Sequence, residues 1–212
     1  MNQEERIFAG FMFNPGAPEL VAIKRRSHDL SREYSALSET ETERRTQILS
    51  EILGKMGQGV YMQGPIFFHY GKHTEVGNWF FANYNLTVQD DAKVIIGDGV
   101  MFGPNVTIVT PVHPLVASER GCMYDENGNI NHLCYAKPVT IGNNVWVGAN
   151  VTICGGVTIG NGCVIGAGSV VTRDIPDNTF AAGVPCKMIR VITDKDSMIH
   201  HPEILGGCRP IE

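Results

Sequence analysis

Charged residues are scarce in this chain of 212 residues, at 18% of the sequence, against roughly 25% in typical soluble domains. The net charge of −5 argues against a nucleic-acid-binding protein, because a basic face is needed to neutralise phosphates. No apolar run approaches the ~18 residues of a membrane span, and the polar start Met1–Arg6 lacks a signal-peptide core. The 6 cysteines lack the paired spacing of a secreted disulfide scaffold. We therefore expect a soluble, cytoplasmic protein.

The charge that is present is concentrated at the N-terminus, where residues 1–57 hold 17 of the 39 charged residues. Proline is tolerated in a first helical turn, so the pattern predicts a helix from Pro18 toward Tyr34. A second helix is expected to begin at Ser38, because a glutamate follows at capping-box spacing, and to end at Gly57. The sequence thus predicts an N-terminal helical segment.

Glycine is abundant, with 24 residues, and it recurs within a repeat of period six. The repeat runs without a break through Ile141, Val147, Ile153, Ile159, Ile165 and Val171, and it returns more loosely between residues 76 and 106. Period six describes short extended segments joined by tight corners, which is the hexapeptide parallel β-helix. We therefore predict an all-β solenoid over residues 58–192, with the charged helices as a cap at one end. Its flat apolar faces need cover, so a homo-oligomer is expected.

One long loop, residues 109–138, interrupts the repeat, and a tail of residues 193–212 follows the solenoid. Loops that protrude from a regular scaffold are more often functional than decorative. His113 stands near the start of this loop between Pro111 and Pro114, whose restricted backbones hold the imidazole in place. A rigidly held histidine suits a general base, although a structural loop histidine fits the same residues.

Further motifs carry a specific resemblance to known proteins. They include Glu5-Arg6-Ile7, Pro18-Glu19-Leu20, Phe81-Ala82-Asn83-Tyr84-Asn85, His113-Pro114, the run from Lys137 to Gly148, and Ala182-Gly183-Val184-Pro185. From residue 5 to about 192 the chain resembles the maltose/galactoside O-acetyltransferase family of hexapeptide-repeat, CoA-dependent acetyltransferases. The resemblance implies a left-handed parallel β-helix, a homotrimer with active sites between subunits, and acetyl-CoA as co-substrate without a metal. It also implies direct acetyl transfer to a hydroxyl of a sugar or related small acceptor, with His113 as general base.

The resemblance extends to the acceptor side of the active site. Asn83 and Asp91 match acceptor contacts of the family. Ala17 stands where many relatives carry an aspartate, which makes the nearby Asn14 a candidate replacement. His69 stands where relatives often have aspartate or serine. Because these departures lie on the acceptor side, the resemblance leaves the identity of the acceptor open.

The CoA side departs less from the family. Trp146 matches the tryptophan that lies along the pantetheine arm, and the sequence places it outward on the solenoid. Ala149 matches a position whose backbone N–H can face the thioester oxygen, and Ala167 matches a second backbone contact. Polar and basic residues match the surroundings of the phosphates and adenine, namely Thr172, Arg173, Lys187 and Arg190. Basic residues late in an acidic chain fit a polyphosphate ligand.

Three other functions remain to be weighed. A zinc carbonic anhydrase on the same scaffold needs three converging histidines, and residues 133–199 contain none. An antibiotic or serine O-acetyltransferase would keep the histidine and the CoA groove and differ only in its acceptor. A non-catalytic scaffold would keep the fold alone, which the joint presence of His113, Asn83 and Trp146 argues against.

Overall fold

A computed structural model describes residues 1–209; the last three residues of the predicted tail, 210–212, lie outside the described residues. Three helices come first: α1 (Gln3–Phe8), α2 (Pro18–Ala36) and α3 (Thr42–Ile52). After the solenoid, a tail forms two 3₁₀ turns, Asp194–Asp196 and Met198–His200, and a short helix at Pro202–Leu205. Within the described part of the chain, no helix combines the length and apolarity that crossing a membrane requires.

The strands stack into three sheets, which form the faces of a parallel β-helix. Face 1 contains β1 (Lys55–Met56), β4 (Thr74–Val76), β7 (Val94–Ile96), β14 (Val139–Ile141) and β17 (Thr158–Ile159). Face 2 contains β2 (Tyr61–Met62), β5 (Phe81–Ala82), β8 (Met101–Phe102), β15 (Trp146–Val147), β18 (Val164–Ile165), β20 (Thr179–Ala182) and β21 (Lys187–Val191). Face 3 contains β3 (Ile66–Phe68), β6 (Leu86–Gln89), β9 (Thr107–Val109), β16 (Thr152–Cys154) and β19 (Val170–Val171). Among the described strands of these three faces, β21 alone joins its neighbour antiparallel, at the last coil.

The hexapeptide positions point inward, as the sequence predicts. Ile141, Val147, Ile153, Ile159, Ile165 and Val171 are all fully or almost fully buried, and so are the residues four positions after each of them. Together with the inward residues of the earlier coils they form one continuous core. The predicted solenoid is therefore confirmed, and the low charge of this part of the sequence follows from the single uncharged core that the coils share.

Two helices close the first coil. Leu30 of α2 and Ile48 of α3 belong to the same core as the solenoid residues. Arg45, which is only 4% exposed, donates from Nη2 to the carbonyl oxygens of Met62 at 2.7 Å and Gln63 at 2.8 Å. Burying a backbone carbonyl away from water without a hydrogen-bond partner destabilises the fold, and the buried guanidinium supplies that partner. The predicted N-terminal cap is confirmed.

The bounds predicted for the second helix are wrong at both ends. It begins at Thr42 and not at Ser38, because the Glu41 carboxylate accepts the Ser38 N–H at 2.8 Å and closes a turn before the helix. It ends at Ile52, because the chain already enters β1 at residues 55–56, before Gly57. Helix α1 was not expected, although the spacing of Asn2 and Glu5 forms the capping box that starts it.

The coils differ in length at one corner. Glu75 pairs with Ile95, twenty residues later, whereas Thr140 pairs with Thr158, eighteen residues later. The longer coils carry their connection from face 3 to face 1 in residues 69–73 and 90–93, and the loop leaves from the same connection after β9. We call residues 69–73, 90–93 and the root of the loop the long corner. The loop contains β10 (Pro111–Val112), α4 (Ala117–Gly121), β11 (Met123–Tyr124), β12 (Ile130–Asn131) and β13 (Tyr135–Ala136).

Candidate active site

His113 lies at the root of the loop, beside the long corner. Strands β10 and β13 pair antiparallel, with Val112 opposite Tyr135, so the two ends of the loop are tied together where His113 emerges. The imidazole is exposed. A short paired ribbon with proline on both sides of the histidine limits backbone motion, as the sequence predicted. The arrangement offers an exposed imidazole next to a paired support.

Two adjacent carboxyls lie inside the long corner. Asp90 is fully buried and accepts the Tyr70 N–H and the Thr74 hydroxyl, both at 2.8 Å. Asp91 is 2% exposed, and its Oδ2 is buried without a hydrogen-bond partner among the described residues. Burial and the neighbouring charge of Asp90 raise the pKa of Asp91 to about 6. The predicted acceptor contact is thus held beneath the surface of the single chain.

His69 and Tyr70 occupy the same corner, one coil earlier. His69 is half-buried and lies 5.5 Å from the ring of His28 and 4.7 Å from the ring of Tyr70. Burial, with Lys24 and His28 nearby, lowers the pKa of His69 to about 4, so this imidazole is neutral at physiological pH. Tyr70 is 1% exposed, and burial followed by the charge of Asp91 raises its pKa. His69 can therefore offer a neutral hydrogen-bonding group to an acceptor.

The N-terminal segment binds the loop of its own chain. Asn14 donates from Nδ2 to Oδ1 of Asn131 at 3.0 Å, so the proposed substitute for the missing aspartate is engaged by the loop. Phe13 and Cys134 form an antiparallel bridge next to it. Burial and the charge of Asp91 raise the pKa of the Cys134 thiol to about 12, so it stays protonated. This thiol is therefore unsuited to nucleophilic attack.

A second corner, between faces 2 and 3, carries Ala149 and Ala167, the two predicted backbone contacts to CoA. We call it the glycine corner; it consists of residues 83–85, 103–105, 148–150 and 166–168. Gly103 lies against the backbone of Ala149, and Gly148 lies against that of Ala167, where an added Cβ would come within 2.8 and 2.7 Å of the respective nitrogens. Glycine is needed at both positions because the coils approach too closely for a side chain.

Asn83 begins the glycine corner, two coils before Ala149. Its N–H donates to the carbonyl oxygen of Phe102 at 3.0 Å, and its Oδ1 accepts the N–H of Tyr84 at 2.9 Å. The two side-chain N–H donors of Asn83 have no protein acceptor among the described residues. The amide can therefore donate to a ligand, as its predicted role requires.

Trp146 points outward from face 2, and 53% of it is exposed. It belongs to a column of outward apolar side chains that follows the strand register through Tyr61, Phe81, Met101, Trp146, Val164 and Phe180. An exposed apolar column of this length needs a ligand or a partner to cover it. The outward orientation that the sequence predicts for Trp146 is thus observed.

The remaining predicted CoA residues lie toward the last coils. Thr172 and Arg173 follow β19 and are exposed; Lys187 and Arg190 are exposed on β21. Arg190 is engaged by a two-fold hydrogen bond to Asp196, at 2.8 and 2.6 Å, which lowers the pKa of that carboxyl to about 2. Lys187 and Arg173 are the more available cations for an anionic ligand.

The single chain does not bring the two halves of the predicted site together. His69, Asp91 and His113 share the long corner, whereas Asn83, Ala149 and Ala167 share the glycine corner. Face 3 separates the corners, and its four-residue strand β6 spans roughly 13 Å at ~3.3 Å per residue. Sequence reasoning also missed His73 and Tyr70 of the long corner, and Glu4 of α1, which contacts His73. None of them lies in the hexapeptide repeat, so periodicity gave no signal for them.

Comparison with known proteins agrees with this architecture. Residues 138–173 match the family "Bacterial transferase hexapeptide (six repeats)", and residues 6–57 match "Maltose acetyltransferase hexapeptide capping motif". The chain is similar to galactoside O-acetyltransferase of Escherichia coli (strain K12), with 42% identity over 92% of each chain. It is also similar to a solved galactoside acetyltransferase in complex with coenzyme A, with 42% identity and a TM-score of 0.84 over 92% of this chain and 94% of that one.

A third similarity covers an equally large share of the chain. A hexapeptide-repeat acetyltransferase of Vibrio cholerae O1 biovar eltor, solved with acetyl coenzyme A, has 31% identity and a TM-score of 0.79 over 92% of this chain and 100% of that one. The matches span the helical cap and the solenoid alike. The chain belongs to the maltose/galactoside O-acetyltransferase family of hexapeptide-repeat, CoA-dependent acetyltransferases, and it is an acyltransferase.

Proposed function

We propose that this protein transfers the acetyl group of acetyl-CoA to a hydroxyl of a sugar or related small acceptor. The observation that carries the proposal is the exposed imidazole of His113, fixed at the loop root beside a corner that holds His69 and Asp91. His113 takes the proton of the attacking hydroxyl as its oxygen adds to the thioester carbonyl. The C–S bond then breaks, and the proton passes to the departing sulfur.

Direct transfer needs no acyl-enzyme intermediate, and the protonation of the buried cysteines argues against such an intermediate. Burial raises the pKa of Cys134 and, together with the charge of Asp177, that of Cys163, so both thiols stay protonated. Ala149 and Ala167 supply backbone groups instead. Neither N–H has a backbone acceptor within residues 1–209. A free N–H beside the thioester oxygen can stabilise the negative charge that develops there.

We further propose a homotrimer in which the long corner of one subunit meets the glycine corner of the next. Within one chain the two corners lie on opposite edges of face 3, so His113 and Asn83 of the same subunit cannot serve one acceptor. The apolar column around Trp146 supports the same arrangement, because a neighbouring subunit and a pantetheine arm would cover it together. A cytoplasmic location, and the predicted bounds between cap, solenoid and tail, remain predictions.

Subunit complementation tests the shared site. His113→Ala and Asn83→Ala should each inactivate the enzyme, and co-expression of the two variants should restore activity. With random mixing about three quarters of the trimers contain both variants, and each of these has one site whose two corners are both intact. About a quarter of all sites should therefore be active. Sedimentation should report three copies. Absence of any recovery, with mixed trimers demonstrated by distinct affinity tags, would place His113 and Asn83 in the same subunit's site and contradict the proposal.

An acceptor screen tests the chemistry. Release of free CoA thiol from acetyl-CoA should depend on an added hydroxyl acceptor, and sugars should support it better than serine or aminoglycoside antibiotics. A clear preference for either of these would reassign the acceptor. Failure of every hydroxyl acceptor, with CoA binding retained, would contradict the proposed transfer to a sugar or related small acceptor.

A further inference from the structure

A buried imidazole joins helix α1 to the long corner. His73 is 2% exposed. Its Nδ1 lies 3.0 Å from the carbonyl oxygen of Asp90 and 2.9 Å from that of Asp91, on the next coil. Its Nε2 lies 2.9 Å from Oε1 of Glu4. The ring therefore spans two coils of the solenoid and the N-terminal helix.

All three oxygen atoms around this ring are hydrogen-bond acceptors. The carbonyls of Asp90 and Asp91 can only accept. Glu4 is ionised: burial opposes this, but hydrogen bonds from Lys72 and His73 lower the Glu4 pKa on balance. A neutral imidazole has one N–H and would leave an acceptor facing a bare ring nitrogen. The donor count thus calls for an N–H on both nitrogens, which is the imidazolium form.

The charges around the ring fit that form. Glu4 of α1 contacts His73 at 2.9 Å and also accepts from Nζ of Lys72 at 2.7 Å. Asp90 and Asp91 contact the ring from the next coil through their backbone carbonyls, and the buried Asp90 carboxyl accepts from Thr74, the residue after His73. Around His73 itself the corner carries Lys72 as a further cation, the half-buried His69, and Tyr70, whose ring centroid is 5.0 Å from that of His73. The Glu4 carboxylate is thus in direct contact with the ring, and two buried backbone carbonyls face its other nitrogen.

The hydrogen bonds of His73 hold the long corner, which carries the proposed acceptor residues. His69 and His73 lie in one stretch of the long corner, and Asp91 lies in the other. From the opposite side Thr110 accepts the N–H of Ala92 at 3.0 Å and donates to the carbonyl oxygen of Gln89 at 2.8 Å. The corner is thus pinned by the coil after it and, through His73, by the coil before it and by α1.

We propose that His73, as an imidazolium braced by Glu4, is a positioning residue that holds the long corner in the geometry required for acceptor binding. This inference rests on the proposed function, because it assigns the acceptor to that corner. His73 touches neither acceptor nor CoA in this scheme. It acts through the backbone of Asp90 and Asp91, and so its loss affects the acceptor and leaves CoA binding intact.

Nitrogen NMR tests the protonation without any enzyme assay. In ¹⁵N-histidine-labelled protein at neutral pH, both ring nitrogens of His73 should show the shifts of protonated nitrogens, and the signals should disappear in His73→Phe. Shifts of either neutral tautomer would overturn the imidazolium assignment. In Glu4→Gln, whose amide oxygen still accepts but lacks charge, a smaller protonated fraction is expected. Because this readout is independent of turnover, it stands even if the proposed transfer to a sugar hydroxyl proves wrong.

Kinetics test the positioning role. His73→Phe keeps a ring in place and removes both donors, so the acceptor KM should rise roughly tenfold or more, with the KM for acetyl-CoA unchanged. Glu4→Gln should give a smaller rise. The matched control is His200→Phe in the exposed tail, which should alter neither constant. An unchanged acceptor KM in both variants, or an equal rise in both KM values, would reduce His73 to a purely structural residue and refute the proposal.

Discussion

Replacement of Asp91 by asparagine should stabilise the folded protein more strongly at high pH than at low pH. Asp91 is 2% exposed and its Oδ2 has no partner among the described residues. Its pKa is about 6 in the fold against 3.8 for an ordinary aspartate. A group whose folded pKa is raised stabilises the fold below its unfolded pKa, and that contribution is lost as the pH rises through the folded value. Asparagine does not ionise and therefore escapes the loss.

The size of the effect follows from the pKa difference. A shift of about two units at ~1.4 kcal/mol per unit corresponds to roughly 3 kcal/mol, with order-of-magnitude precision for a carboxyl next to Asp90. The quantity to measure is therefore how the difference in unfolding free energy between Asp91→Asn and wild type changes with pH. The gain in unfolding free energy of Asp91→Asn over wild type should be about 2–3 kcal/mol larger at about pH 8 than at about pH 4. Any pH-independent change in hydrogen bonding cancels in this comparison.

Urea unfolding at a fixed subunit concentration is the appropriate assay, because oligomer stability depends on concentration. Glu39→Gln serves as the control: it removes one carboxylate at an exposed position of the N-terminal cap and should show no comparable pH dependence. If Asp91→Asn gains no more at high pH than at low pH, then the buried carboxyl is not the strained group that its surroundings indicate. A loss of acceptor affinity in the same variant would show that the strain is retained for function.

Three further outcomes are expected. His113→Ala should lower turnover a hundredfold or more with CoA affinity nearly intact; a near wild-type rate would remove it as the base. Trp146→Ala should weaken CoA binding roughly tenfold by calorimetry, whereas unchanged affinity would exclude this side chain from the groove. Ile153→Ala removes a fully buried core side chain and should cost about 2–5 kcal/mol in urea unfolding; a smaller cost would mean that neighbouring coils collapse into the space.

The sequence by itself determined the solenoid, because one inward aliphatic residue every six positions can be buried only by stacking coils on one another. It also determined that Trp146 faces outward and that His113 stands at a loop root, since both follow from register and from proline. The ends of α3 were not determined. Apolar residues continue past Ile52 at helical spacing, at Leu53 and Met56, but the chain enters β1 and pairs with β4 there, so the helix has already ended.

Only the tertiary structure decided how the site is divided. Residues that are far apart in sequence share a corner because coils of eighteen to twenty residues bring them into one stack. That stacking places His113 with Asp91 and separates both from Asn83 by the width of a face. It also places Glu4 beside His73, sixty-nine positions away in the chain, and it buries the Asp91 carboxyl, whose Oδ2 has no partner within residues 1–209. No periodicity encodes such contacts, because they depend on which corner each insertion enlarges and on where the N-terminal helix packs.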